Sequence, residues 1–158
     1  MKKLLDNLFF RSNNLNNISL NFKKLSIDTP VLKIFQAINS YSPSSEIRYV
    51  GGCVRKVIKK EIVDDIDLAT NLTPLEVCEA LKNKQISYYE TGIEHGTITA
   101  IIDEYKFEIT SLRKDVSTDG RHAEVEFSLD WKEDASRRDF TINSIYACLL
   151  YTSPSPRD

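Results

Sequence analysis

The sequence predicts a mixed α/β domain of the α+β kind: a mixed sheet with helices mainly on one face. Three observations carry that expectation. Short runs rich in β-branched and aromatic residues alternate with stretches whose apolar residues recur at helical spacing. The connections between the later runs are short and polar, as in hairpins. A chain of 158 residues with 41% hydrophobic and 28% charged side chains can also build a real core, hiding roughly 70% of its unfolded surface without help from a disulfide or structural metal.

The elements follow in order. Residues 4–21 are rich in Asn and lack sustained periodicity, so residues 1–27 read as a partly flexible N-terminal extension, with organised structure beginning near Asp28. Asp28-Thr29-Pro30 supplies a cap and a proline, and Val31, Ile34, Phe35 and Ile38 then recur at helical spacing until Tyr41-Ser42-Pro43 ends the helix. Residues 47–50 read as a strand running into Gly51-Gly52, followed by a helix over about 54–60 and a second strand at 66–69. Thr73-Pro74-Leu75-Glu76 is a capping box that opens a helix ending before Gln85.

Residues 86–90, 97–102 and 106–112 read as strands, the last two joined by a hairpin at Asp103-Glu104-Tyr105. Residues 113–124 turn polar and read as a charged loop containing Asp119-Gly120. Residues 125–129 suggest another strand, and 134–147 the start of a helix. The final segment, 148–158, carries two Ser-Pro steps and resembles the conceptual translation of a transposon-end sequencing adaptor. The expectation is therefore a head domain over 28–147, cut in mid-helix at Ala147, with an adventitious tail.

Composition narrows the function classes. No run approaches the ~20 apolar residues of a membrane span, and Met1–Asp6 meets an acid too early for a signal-peptide core, which points to the cytoplasm. Cys53, Cys78 and Cys148 lack metal-ligand spacing and read as reduced structural thiols. Residues 1–60 carry 11 Lys/Arg against 3 Asp/Glu, whereas 61–147 carry 9 against 19. An acidic excess is ordinarily a solvated surface; the alternative is that some carboxylates converge on a divalent metal.

The order of the residues favours the metal. Gly51-Gly52 follows a strand and opens a helix, so backbone N–H groups can approach a phosphate, with Arg55 one turn on as a cation for it. Asp65 and Asp67 lie two apart in a strand pattern, where alternate side chains share a face, and like charges so close call for a cation such as Mg²⁺. Glu108, between Phe107 and Ile109, adds a third acid on a later strand.

Five segments in order resemble the head-domain motifs of bacterial class II CCA-adding enzymes and their poly(A) polymerase relatives, within the DNA polymerase β-like nucleotidyltransferases. They are Tyr49–Arg55, Asp65–Thr70, Glu94–Thr97, Glu108–Arg113 and Arg137–Asn143. The resemblance implies that Gly51, Gly52, Arg55 and Arg138 hold the nucleotide. It makes Asp65 and Asp67 the ligands of two Mg²⁺ ions, with Glu108 as the third catalytic carboxylate. The implied reaction is addition of CCA to tRNA 3′ ends from CTP and ATP, with no membrane or protein partner evident.

In the same resemblance His95 takes a structural role at a turn before a strand, and Asp119-Gly120-Arg121 falls in a mobile loop. Two features depart from the pattern. Lys56 stands where the family usually has an acid, and the base-reading helix of the family lies beyond the chain's end. Polyadenylation of RNA 3′ ends and non-catalytic binding of nucleotide or RNA are the alternative readings.

Overall fold

The computed structural model describes residues 16–116, 124–138 and 146–148. Helix α1 occupies residues 16–28. It is followed by α2 (Val31–Asn39), β1 (Ile47–Val50), α3 (Gly52–Lys59), β2 (Ile66–Thr70), α4 (Pro74–Asn83) and β3 (Ser87–Gly92). A 3-10 turn (Ile93–His95) leads to β4 (Thr97–Ile102), β5 (Tyr105–Ser111), β6 (Arg113–Val116), β7 (Glu124–Phe127), α5 (Trp131–Ser136) and β8 (Tyr146–Ala147).

Six strands form one mixed sheet in the order β3-β4-β5-β2-β1-β8, and β6 and β7 form a separate two-stranded sheet. Among the described residues of the large sheet only the β2–β5 pair is parallel; the other neighbouring pairs run antiparallel. Helices α1 to α4 pack their apolar stripes on one face. There Ile47, Tyr49, Ile66, Leu68, Phe107 and Ile109 join side chains of all four helices in one buried cluster. Tyr49 is fully buried, its ring centroid 5.2 Å from that of Phe22 in α1 and 5.0 Å from that of Phe35 in α2. Side chains of this size each contribute about 1.5–3 kcal/mol on full burial. The helices therefore lie mainly on one face, as the sequence predicts.

The alternation of the strands turns Asp67 and Glu108 to the other face. Among the described residues, Trp131 and Tyr146 pack on Val50, Ala69 and Leu112 at the β8 end of that face.

Local chemistry explains most boundaries. Thr73 accepts from the Glu76 N–H while Glu76 accepts from the Thr73 N–H, completing the capping box. The β4–β5 hairpin pairs Ile102 with Tyr105, and Asp103 takes the positive φ (53°) that the absent glycine would have supplied.

Four expectations are corrected. Regular structure begins ahead of Asp28, because Phe22 and Leu25 of α1 are buried in the main core. Asp28 does not cap α2, whose first turn has no side-chain cap; the Thr29 hydroxyl instead donates back to the Leu25 carbonyl at 2.8 Å. Residues 113–116 are a strand, not a loop, held by β7 with an ion pair between Lys114 and Glu126. The helix expected from 134 is α5, which starts earlier, capped by Asp130 accepting from the Lys132 N–H, and ends at Ser136, while Ala147 pairs with Tyr49 in the sheet. The reading of Ala147 as mid-helix falls with it.

Cys53 and Cys78 are buried free thiols, whereas Cys148 is exposed and packs no core. Among the described residues no helix is long and apolar enough to cross a membrane. Asp119-Gly120-Arg121, residues 139–143 of the last motif and the tail from 149 onward lie outside the described residues.

Candidate active site

β1 ends at Val50 and α3 starts at Gly52, so the chain must reverse within one residue. Gly51 does this at φ 69°, ψ −134°, a conformation L side chains rarely adopt. Gly52 is helical, and a Cβ there would meet nothing closer than 3.9 Å, so the protein itself does not demand its glycine. The first turn of α3 contains no acid of its own, so the positive end of the helix dipole is open to a negative group supplied from outside the helix. The Cys53 thiol beneath the turn donates to the Val50 carbonyl at 3.2 Å, and burial pushes its pKa up to about 11, which keeps it an inert thiol at neutral pH.

β2 runs beside this turn and brings the Asp67 carboxylate to it. A Cβ on Gly51 would sit 3.7 Å from Asp67 Oδ2, and one on Gly52 4.0 Å. The parallel register places Asp67 opposite Glu108. Burial raises the Asp67 pKa, and the neighbouring charges of Glu108 and Asp65 raise it further; Arg138 and Lys56 pull it down without cancelling the effect.

Asp67, Glu108 and Gly51 share a cleft of about 410 Å³ with His95, Thr97, Thr110, Arg113, Arg137 and Arg138. Two larger grooves, of about 520 and 610 Å³, lie elsewhere, and neither contains a carboxylate pair on neighbouring strands. Of these three, the smallest one gathers the carboxylate pair and the arginines.

The structure brings Gly51, Asp67, Glu108 and Arg138 into one cleft. Gly52 and Arg55 flank it, the Arg55 guanidinium lying 3.9 Å from where a Gly52 Cβ would be. Asp65 is exposed one residue ahead of β2 and does not line the cleft, although its charge reaches Asp67. His95 sits in the 3-10 turn and contributes its carbonyl, which accepts from Arg113 Nη1 at 3.2 Å. Lys56 pairs with Asp64, so the charge that departs from the family pattern is partnered locally.

Sequence reasoning missed Arg113 and, more importantly, Asp134, a buried carboxylate that binds Arg137 and Arg138. The spacing Asp134-x-x-Arg137-Arg138, which puts both arginines within one turn, was the available signal.

A divalent cation fits these residues. Asp67 is a partly desolvated carboxylate facing two like charges, the condition a cation relieves. Among the described residues no three His, Cys, Asp or Glu side chains form a ready-made cage. Mg²⁺ needs none, because it is held by one or two carboxylates together with substrate phosphates and water.

Comparison with known proteins decides the family. The poly A polymerase head domain family matches residues 47–153, more than half of the chain. The chain belongs to this family. It is similar to human "CCA tRNA nucleotidyltransferase 1, mitochondrial", with 51% identity over 102 residues, covering 64% of this chain and 24% of that protein. It is 38% identical over 102 residues to the CCA-adding enzyme of Listeria monocytogenes, covering 63% of this chain and 25% of that one.

In structure it resembles the Bacillus stearothermophilus CCA-adding enzyme solved in complex with CTP, with a TM-score of 0.61 and 28% identity, covering 73% of this chain and 26% of that one. The chain therefore spans about a quarter of the length of these relatives. The likeness in structure covers the mixed α/β fold described above.

Proposed function

We propose that this chain is the catalytic head of a tRNA nucleotidyltransferase that completes the 3′-CCA end from CTP and ATP, releasing pyrophosphate. One observation carries the reading: Asp67 and Glu108 stand in register on adjacent parallel strands, in a cleft that also holds the Gly51 turn and Arg138. The human and Listeria relatives named for CCA addition, and the Bacillus enzyme solved with CTP, supply the substrate class.

In this reading Asp65 and Asp67 hold Mg²⁺ and Glu108 is the third carboxylate. A divalent cation held there would supply acidification of the attacking 3′-hydroxyl and charge neutralisation for the leaving pyrophosphate. The remaining work of the chain is positioning. Gly51 and Gly52 let the first N–H groups of α3 face the triphosphate, Arg55 and Arg138 neutralise its oxygens, and the apolar packing beneath Asp67 fixes that carboxylate. The excess of positive charge over residues 1–60 adds a modest, salt-sensitive attraction for RNA.

The same reading takes residues 28–147 as the head, with α1 packed on it and 148–158 an adaptor translation, which the genomic sequence past Ala147 tests directly. It places the protein in the cytoplasm; the name of the human relative assigns that protein to mitochondria, and cell fractionation distinguishes the two.

Incorporation of labelled CTP and ATP into tRNA lacking CCA, by the product of the complete gene, tests the activity: two C and one A are expected. The family match itself favours a second reading, polyadenylation, which would show as long tails made from ATP alone. Mg²⁺-dependent nucleotide binding without any turnover by that product would point to a binding module.

A further inference from the structure

All three arginines of the cleft are tied to one carboxylate. Asp134, in the six-residue helix α5, is fully buried. Its Oδ1 accepts from Arg137 Nη2 at 2.7 Å and Nε at 3.1 Å, and from the backbone N–H of Arg113 at 3.2 Å. Its Oδ2 accepts from Arg138 Nε at 3.0 Å and from the Tyr146 hydroxyl. Arg137 Nε is shared with the Arg113 carbonyl at 3.2 Å, so the backbone of Arg113 is gripped through both its N–H and its C=O. The Arg113 guanidinium then donates to the carbonyl of His95 at the cleft wall.

The chemistry of this knot is specific. A carboxylate bonded to guanidinium N–H groups fixes the plane as well as the place of each guanidinium, which a solvated arginine lacks. A guanidinium has five donors, so pairing Arg138 through Nε does not exhaust it. Arg137 and Arg138 retain only 12% and 17% of their side-chain exposure, so both are held rather than swinging in solvent.

We infer that Asp134 is a positioning residue for the nucleotide site: it sets Arg113, Arg137 and Arg138 in the cleft of Asp67 and Glu108, so that triphosphate oxygens meet guanidinium groups already in place. This rests on the nucleotidyltransferase reading. It goes beyond it in assigning phosphate binding to a buried acid that never touches the phosphate. The Asp134 carboxyl, although burial alone would raise its pKa, is held below the usual carboxylate range by the Tyr146 hydroxyl and by Arg138 and Arg137, so the knot is charged at neutral pH.

Calorimetric titration of the complete gene product with CTP in Mg²⁺, alongside thermal melting, tests the inference. Asp134→Asn should weaken CTP binding about tenfold or more, the scale of a lost charge-assisted network. Asp134→Glu keeps the charge but moves it by one methylene; it should weaken binding severalfold and carries the test if Asp134→Asn does not fold. In an Arg138→Ala background Asp134→Glu should lose the part of its effect that passes through Arg138, so the two changes combine to less than their sum, a coupling that a general loss of rigidity would not produce. CTP affinity unchanged by Asp134→Glu, or full additivity with Arg138→Ala, overturns the inference and leaves the nucleotidyltransferase reading standing. A complete wild-type gene product that binds no CTP overturns both.

Discussion

Asp67 and Glu108 are register partners across the parallel β2–β5 pair, and they carry like charges on the face opposite helices α1 to α4. Like charges facing each other on a sheet are destabilising unless something neutralises them. Replacing Asp67 with Asn should therefore remove Mg²⁺-dependent nucleotidyl transfer by about 100-fold or more, because a bound metal supplies several kcal/mol of charge stabilisation and about 1.4 kcal/mol is a factor of ten. Single-turnover incorporation at saturating CTP is the measurement.

The same variant should behave differently in a melting experiment. The pKa of Asp67 is raised in the folded state, so the folded protein binds that proton more tightly than the unfolded chain does. The corresponding stability is present at low pH and is lost as pH rises through the folded pKa. At pH 7 without divalent cation, Asp67→Asn should melt higher than wild type. The gap should close on acidification, and added Mg²⁺ should raise the wild type but not the variant. Scanning fluorimetry across pH and Mg²⁺ concentration reads all three.

Asp134 has the opposite sign. Its pKa is lowered, so its contribution is present above the ordinary value of 3.8 and is lost as pH falls below it through the folded pKa. Truncation to Ala leaves two nearly buried guanidinium groups without their carboxylate and should cost about 3–5 kcal/mol in urea unfolding at pH 7. That cost should shrink in strong acid.

The two glycines of the turn should separate stability from function. Gly51→Ala forces a Cβ into a positive φ and should cost about 1–3 kcal/mol. Gly52→Ala meets no protein atom closer than 3.9 Å and lies in a helix, where Ala exceeds Gly by up to about 1 kcal/mol. It should leave the melting temperature unchanged or raised while weakening CTP binding, since its methyl would stand 4.0 Å from Asp67 Oδ2 where the triphosphate is to lie. Paired melting and titration of both variants check this.

The β1 strand, the β4 strand and the Thr73 capping box were legible because each is decided by local chemistry: apolar side chains bounded by turn residues, or a hydroxyl three residues from a glutamate. Asp67 and Glu108 were legible because a carboxylate between buried neighbours in a strand stands out from its surroundings. Helix α1 was hidden by its Asn-rich sequence, since its place is set by Phe22 and Leu25 meeting a core formed elsewhere in the chain. β6 was hidden because Arg113 and Lys114 face a partner strand that only tertiary pairing supplies.

Asp134 was the least legible of the site residues. In sequence it is one more acid in a charged run; its burial comes from Arg137 and Arg138 within one turn and from Arg113 and Tyr146 brought in from other strands. Asp65 was read as sharing the strand face with Asp67, and it stands just outside β2.

The most direct test of the account is incorporation of labelled CMP and AMP into tRNA lacking CCA by the complete gene product carrying Asp65→Ala and Asp67→Ala. The account predicts CCA addition by the wild type and none by the double variant at any Mg²⁺ concentration. Incorporation by the variant at the wild-type rate would contradict it.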